Sequence, residues 1–273
     1  MAERRTVVCV SDHTGLTAAT FAHSLVARFD DLEATYLLRP FVDNIEKVDA
    51  VVAEVDRLAE HGSRPIVFST LTDAALWRRL RESHGLVLGL FEQFVDELAA
   101  ELHLEPGHTV GAAHSIRDTS IYQRRLDALD FSLMTDDGLG TKHYGNADLV
   151  VIGVSRAGKT PTRVYMSMHY GIRAANYPLT SDELGEGTLP DVLRSHRDRL
   201  FGLTIDPVRL HQIRQKRRPD SAYASLARCT EEIGLAERLF RQEGIPVTDT
   251  TAHSIEEITS TIMEMTGLTS RLD

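Results

Sequence analysis

The stretch that decides the fold is Asp148–Thr160, which reads DLVVIGVSRAGKT. Its apolar part, Asp148–Val154, predicts a buried β-strand. Gly153–Thr160 matches G-x-x-x-x-G-K-[ST], the pattern of a phosphate-binding loop between a strand and a helix. Pro161–His169 can form that helix, because Pro161 would lie in the first turn, where a missing N–H is harmless. The order strand, loop, helix therefore predicts a P-loop α/β domain.

Each residue type in this loop suits phosphate binding. Glycines let the backbone turn so that N–H groups point at phosphate oxygens, and the following helix adds its positive end. Lys159 would bring a positive charge to the terminal phosphate, and the Thr160 hydroxyl would bind Mg²⁺. The alternative is a strand–helix turn with a chance lysine, which the context disfavours. The residues predicted to bind nucleotide or phosphate are Gly153, Val154, Ser155, Arg156, Ala157, Gly158, Lys159 and Thr160.

Carboxylates at two further places could serve this loop. Asp206 closes the apolar run LFGLTID, where an acid can order the metal, although an Asp before Pro207 is also typical of a helix cap. Asp136 and Asp137 form a turn with Gly138, and they could supply a general base or a metal contact. An Asx-type turn, which needs only one of them, is the structural alternative.

A fourth polar segment follows the first predicted strand. Ser11 and Thr14 could hydrogen-bond a phosphate there, and Asp12 could act as a base or metal ligand, because ligands bind at the carboxyl ends of parallel strands. Capping of the next helix by Asp12 or Thr14 is the simpler interpretation, and the pattern alone favours it. The basic run Arg214–Arg218 is likewise more typical of a solvated helix end than of a binding patch, although beside a nucleotide site it could contact phosphates or an acidic partner surface.

The N-terminal half alternates strands and helices, which predicts a mostly parallel sheet. The predicted strands are Thr6–Val10, Ala34–Leu38 and Pro65–Ser69. The predicted helices are Gly15–Phe29, Ile45–Glu60, Asp73–Arg81 and Phe91–Leu102. Gly85–Leu90 is either a further strand or the start of the last of these helices.

Pro and Gly cluster in Pro106–Ala113, where the periodicity lapses. We therefore predict an N-terminal α/β domain over residues 1–106 and a P-loop kinase-like α/β domain over residues 107–273. Beyond the loop, further strands are predicted at Ala174–Leu179, Leu200–Ile205 and Ile245–Thr248. The other helices are predicted at Thr119–Leu129, Val208–Lys216, Tyr223–Arg241 and Ile255–Met265. The last, apolar helix packs either in the core or against a second subunit of a homodimer.

Charge and composition narrow the function class. The formal net charge is −10, which argues against binding to nucleic acids or membrane surfaces, since both need a cationic footprint. Cys9 and Cys229 are expected to be buried free thiols, because nothing indicates an oxidising compartment. The apolar start, Val7–Val10, is too short for a signal peptide or a membrane span, so a cytoplasmic protein is expected.

Seven segments together resemble the bifunctional regulatory proteins of phosphoenolpyruvate synthase and of pyruvate, phosphate dikinase. The resemblance covers nearly the whole chain, and Gly158 with the segment 200–218 is closer to the synthase branch. Two positions depart from the family pattern, Ala19 and Thr135. The segments are VSDHTGLTA (10–18), DFSLMTDDG (130–138), GVSRAGKTPT (153–162), YGIRAANYPL (170–179), LFGLTIDPVRLHQIRQKRR (200–218), SAYASLARC (221–229) and HSIEEI (253–258).

The resemblance implies an ADP-dependent kinase that inactivates phosphoenolpyruvate synthase by phosphorylating a threonine. It also implies the reverse reaction, in which inorganic phosphate attacks the phosphothreonine and pyrophosphate leaves. Lys159 would then be catalytic, with Mg²⁺ as a cofactor, and the general base would be Asp12, Asp137 or Asp136. The loop alone would support an ATP-dependent small-molecule kinase equally well, and a nucleotide-sensing protein without catalysis is a third possibility.

Overall fold

A computed structural model describes residues 3–105 and 119–272. The chain divides into two compact units, Met1–Ser115 and Ile116–Asp273. The predicted domain break at Pro106–Ala113 lies outside the described residues. Each unit contains its own four-stranded sheet, and every strand pair in both sheets is parallel. The predicted α/β class is therefore confirmed.

The N-terminal unit has the strand order β2-β1-β3-β4. Its strands are β1 (Glu3–Val10), β2 (Leu32–Arg39), β3 (Ile66–Ser69) and β4 (Leu86–Gly89). Its helices are α1 (Leu16–Val26), α2 (Ile45–His61), α3 (Ala74–Leu80) and α4 (Glu92–Leu102). The segment that the sequence left open, Gly85–Leu90, is thus a strand.

Helix α2 illustrates how the sequence builds this unit. Its valines recur at helical spacing and form one buried face against the sheet: Val48, Val51, Val52 and Val55. Asn44 caps the helix by accepting a hydrogen bond from the Lys47 N–H at 3.0 Å. The apolar face supplies most of the stability, because helices in proteins depend mainly on the tertiary packing of such a face.

The C-terminal unit has the strand order β6-β5-β7-β8. Its strands are β5 (Leu149–Gly153), β6 (Ala174–Pro178), β7 (Leu200–Thr204) and β8 (Val247–Asp249). Its helices are α5 (Thr119–Met134), α6 (Lys159–Tyr170), α7 (Ser181–Glu186), α8 (Asp191–Arg194), α9 (Pro207–Arg217), α10 (Leu226–Glu243) and α11 (Ile255–Thr266). Helices α7 and α8 were not predicted, and α10 begins at Leu226 rather than Tyr223.

Strand β5 lies at the centre of this unit. All five of its residues are buried, and β6 and β7 pair with it on either side. The loop that follows β5 therefore leaves the sheet at its carboxyl edge, between the ends of two other strands. That edge is where open parallel sheets bind ligands.

Several smaller expectations are also settled. Helix α11 packs Ile258 and Ile262 into the core of the C-terminal unit, the first of its two predicted placements. Cys9 and Cys229 are free and buried, as predicted. Across residues 3–105 and 119–272, no helix is both long and apolar enough to cross a membrane.

Gly153 packs so closely against β7 that there is no room for a side chain. Its φ is 155°, and a Cβ built there would lie 2.5 Å from the Leu203 carbonyl oxygen. We expect Gly153→Ala to lower the free energy of unfolding by about 1–3 kcal/mol, because backbone of the neighbouring strand must move. The matched control is Gly185→Ala in α7, where a built Cβ would have no described atom within 4 Å apart from its chain neighbours and the backbone of its own helix. Urea denaturation should leave the control unchanged or slightly more stable, and equal stability of the two variants would contradict this account.

Candidate phosphate-binding site

The loop after β5 has the backbone shape that phosphate binding requires. Gly158, at the N-cap of α6, has a φ of 90°, and no side chain caps the helix there. The first N–H groups of α6 are therefore open to a ligand at its positive end. Arg156 is exposed and has a φ of 75°, a conformation that non-glycine residues rarely adopt and that costs about 1–3 kcal/mol. Strain of this kind is typical of a functional loop.

The Lys159 side chain is buried against the backbone of the phosphate loop. Only 5% of the residue is exposed, and its Nζ donates a hydrogen bond to the Val154 carbonyl at 2.8 Å. Burial lowers the pKa of Lys159 to about 8, against the opposing effect of the nearby charges of Asp137 and Asp136. The ammonium is still charged at neutral pH, and it lacks a full counter-charge that a phosphate would supply.

Thr160 lies beside the two carboxylates of the DDG turn. Its Oγ1 donates to Asp136 Oδ1 at 3.3 Å. The Asn176 amide, in the middle of β6, donates to Asp136 Oδ1 at 2.7 Å, to Asp137 Oδ1 at 3.3 Å and to Thr160 Oγ1 at 3.3 Å. The structure thus brings together three predicted residues, Thr160, Asp136 and Asp137, through one amide that was not predicted.

A buried arginine fixes one of these carboxylates. Arg163, in α6, is fully buried, pairs with Asp136 Oδ2 at 2.5 Å and donates to the Ser132 carbonyl. Burial raises the pKa of the Asp136 carboxyl, but the Asn176 hydrogen bond and the Arg163 charge outweigh it, and the net pKa lies below the usual value. Asp136 is therefore a firmly ionised carboxylate and a weak base.

The residues around Thr160 suit a magnesium ion. Mg²⁺ is commonly held by one or two carboxylates together with waters and substrate phosphates. Thr160 and the two aspartates offer only oxygen ligands, and the buried Asn176 Oδ1 has no hydrogen-bond partner among the residues that the structure describes. Among the described residues, no group of three or more His, Cys, Asp or Glu is arranged to hold a metal. A cation here would thus need oxygens from the phosphates of its ligand.

Asp206 lies on the other side of the P-loop strand from this cluster. It follows β7, whereas Asn176 lies in β6, and both strands flank β5. Its carboxylate accepts a hydrogen bond from the Arg209 N–H at 2.9 Å and caps α9. The predicted cap is confirmed, and a role for Asp206 at a metal remains a prediction.

The candidates near the N-terminus belong to the other compact unit. Asp12 is buried, and its Oδ2 accepts from the Thr72 N–H at 2.9 Å and the Thr72 hydroxyl at 2.6 Å. Ser11 accepts from the His13 N–H at 3.1 Å. The predicted capping by Asp12 or Thr14 is wrong: the N-cap of α1 is Gly15, with a φ of 75° and no side-chain cap. Asp12 instead ties the β1–α1 loop to the β3–α3 loop.

The phosphate loop also contacts α9 and a tyrosine that follows this helix. Ser155 Oγ lies 2.9 Å from the Tyr223 hydroxyl, and Tyr223 also lines an open cavity of about 780 Å³. Arg214 donates to the Ser155 carbonyl at 3.0 Å and is fully buried. The interpretation of the basic run as a solvated helix end is thus wrong for Arg214, although Lys216–Arg218 are exposed.

Asn176 and Arg163 were not predicted as site residues, and Arg214 was named only within a run that could contact phosphates or a partner. A signal existed for two of them. Asn176 is a polar residue within a predicted buried strand, and Arg163 follows Thr160 by one helical turn, on the face that also holds buried Met166. Arg214 had no local signal, because its neighbours in sequence are exposed basic residues.

The buried ammonium of Lys159 should make the ligand-free protein less stable. Since burial lowers its pKa from 10.5 to about 8, we expect Lys159→Met to raise the free energy of unfolding at pH 7, on the order of 2 to 3 kcal/mol. The gain should be full below pH 8 and shrink as the pH rises from 8 to 10.5, because the folded state sheds its proton in that range while the unfolded state keeps it. Urea denaturation at pH 7 and pH 9.5, without phosphate, measures it. A less stable variant at pH 7 would contradict the account.

Comparison with known proteins places the chain in a family. A family described as kinase/pyrophosphorylase matches residues 7–263. A protein of Ectopseudomonas mendocina is 46% identical over 270 residues, covering 98% of this chain and 99% of its own length. A protein of Burkholderia thailandensis is 48% identical over 261 residues, covering 95% and 96%. Both are provisionally named phosphoenolpyruvate synthase regulatory proteins. The chain therefore belongs to the kinase/pyrophosphorylase family.

Proposed function

We propose that this enzyme transfers the β-phosphoryl group of ADP to a threonine of phosphoenolpyruvate synthase, and removes it again with inorganic phosphate. The observation that carries the proposal is the joint placement of Lys159, Thr160, Asp136 and Asp137 at one helix N-terminus. Family membership supports a phosphotransferase, and the names of the relatives support the target. The metabolite kinase and the non-catalytic sensor are the alternatives to exclude.

In the forward reaction, the threonine oxygen attacks the β-phosphorus of ADP. The bond from that phosphorus to the bridging oxygen breaks, and AMP leaves with the electron pair. Lys159 and the α6 N–H groups stabilise negative charge on the transferring group. Mg²⁺, bound through Thr160 and Asp136, would neutralise further phosphate charge.

In the reverse reaction, an oxygen of inorganic phosphate attacks the phosphothreonine phosphorus. The bond to the threonine oxygen breaks, pyrophosphate forms and the threonine regains its proton. A loop that binds the β-phosphate of ADP presents the same donors to inorganic phosphate. The two directions therefore need one anion site, which agrees with the single P-loop motif of the sequence.

Asp137 is the best placed general base. It is exposed, and its carboxylate accepts one long hydrogen bond, from Asn176 at 3.3 Å. Asp136 is engaged by Arg163, and Asp12 by Thr72. We therefore assign Asp137 as the acceptor of the threonine proton in the forward reaction and as the donor of a proton to the leaving threonine oxygen in the reverse.

Replacement of the base should separate chemistry from binding. We expect Asp137→Asn to lower kcat in both directions by about 100-fold or more, with ADP affinity within about threefold of the unsubstituted protein. The matched control is Asp198→Asn, which changes an exposed aspartate of the same unit outside the site. Steady-state kinetics measures kcat in each direction, and isothermal titration measures the affinity for ADP. Full activity of Asp137→Asn would remove Asp137 as the base.

The function itself is tested by reconstitution. Phosphoenolpyruvate synthase in its phosphohistidine form is mixed with the protein, Mg²⁺ and either ADP or ATP, with Lys159→Ala as the control. We expect ADP-dependent threonine phosphorylation and inactivation, reversed by phosphate with release of pyrophosphate. Transfer from ATP to a metabolite would establish the small-molecule kinase instead. Nucleotide binding without any transfer would establish the sensor.

A further inference from the structure

One side of the phosphate loop is held by a buried ion pair. The Arg214 guanidinium, with no exposed surface, lies 2.7 Å from Glu232 Oε2, and Glu232 is 8% exposed. The guanidinium also donates to the carbonyl of Ser155 at 3.0 Å and to that of Tyr223 at 3.1 Å. It stacks on the Tyr223 ring, 4.2 Å from the ring centre. Arg214 thus joins α9, α10 and the loop at one point.

A pair of this kind is costly as a means of filling a core. Removing both charges from water costs several kcal/mol per ion, and well-packed apolar residues of similar volume often give equal or greater stability. The other Glu232 oxygen is also satisfied, by Ser181 at 2.6 Å and Arg228 at 3.0 Å. The network is therefore complete, and stability alone does not account for its charges.

The bond to Ser155 has a consequence for the loop backbone. In a trans peptide the carbonyl oxygen and the next N–H point in opposite directions. Since Arg214 holds the Ser155 oxygen, the N–H of Arg156 is turned to the opposite side of that peptide. Arg156 is also the residue with the unfavourable φ of 75°. The Tyr223 hydroxyl, 2.9 Å from Ser155 Oγ, holds the same residue by its side chain.

We infer that Arg214, with Glu232 as its counter-charge, is a positioning residue that holds the Ser155–Arg156 peptide in the orientation that binds phosphate. The strained loop is then preorganised before the ligand arrives, so binding does not have to order it. Arg214 lies in α9, outside the loop, and would affect phosphate binding only through its contact with the Ser155 carbonyl. This inference rests on the proposed function only in taking ADP and inorganic phosphate as the ligands of the loop.

The test replaces the charges and keeps the volume. In the double variant Arg214→Met/Glu232→Leu, the thermal midpoint should be equal or higher, while the dissociation constants for Mg²⁺-ADP and for inorganic phosphate each rise about tenfold or more. Isothermal titration and thermal unfolding are measured on the full chain. The matched control is Arg197→Met, which removes a surface ion pair of the same unit, Arg197–Glu243 at 2.8 Å. Its affinities should not change.

Each outcome decides the inference. A stable double variant with unchanged affinities overturns it, because the pair would then be core packing only. If the double variant does not fold, Arg214→Lys decides: it keeps a positive charge beside Glu232 but not the forked contact with Ser155. A loss of at least threefold in affinity at an unchanged midpoint supports the inference, and unchanged affinity overturns it. Absence of ADP binding by the unsubstituted protein would refute the proposed function instead.

Discussion

The burial of the Lys159 ammonium is the constraint on which the rest of the C-terminal unit depends. An ammonium group buried away from water needs hydrogen bonds and a nearby negative charge. The Val154 carbonyl accepts one hydrogen bond from Lys159, and Asp136 and Asp137 lie close enough to offset only part of its charge. The pKa of Lys159 is lowered because these groups do not fully replace the water that the ammonium has lost. A phosphate at the N-terminus of α6 would supply the missing charge and hydrogen bonds, which supports the proposed binding of a phosphate ligand there.

The charges around the loop are divided between two sides. On the β6 side, Asn176 and Arg163 fix Asp136 as an ionised carboxylate and leave Asp137 exposed. On the side of α9 and α10, Arg214 holds the loop backbone. The phosphate donors therefore lie between a cluster suited to Mg²⁺ and proton transfer and a cluster suited to holding the loop in shape. Such an arrangement can serve a phosphoryl group moving in either direction.

Much of this could be predicted from local sequence. The strands follow from short apolar runs such as Leu149–Ile152, and the loop follows from its spacing and its place between strand and helix. The site features that were not predicted depend on contacts between residues far apart in the sequence. Asn176 meets Asp136 across 40 positions, and the Arg214 side chain is buried although its sequence neighbours are exposed. The capping of α1 failed for a local reason, because a left-handed Gly15 starts the helix without a side-chain cap.

The central claim is that one loop binds both ADP and inorganic phosphate. The most direct measurement is the dissociation constant of Mg²⁺-ADP, by isothermal titration, at increasing concentrations of inorganic phosphate and at constant ionic strength. The account predicts a linear rise in the apparent constant, since the two ligands exclude each other, and loss of both interactions in Lys159→Met. ADP affinity that stays constant at saturating phosphate would place the two ligands in separate sites and contradict the account.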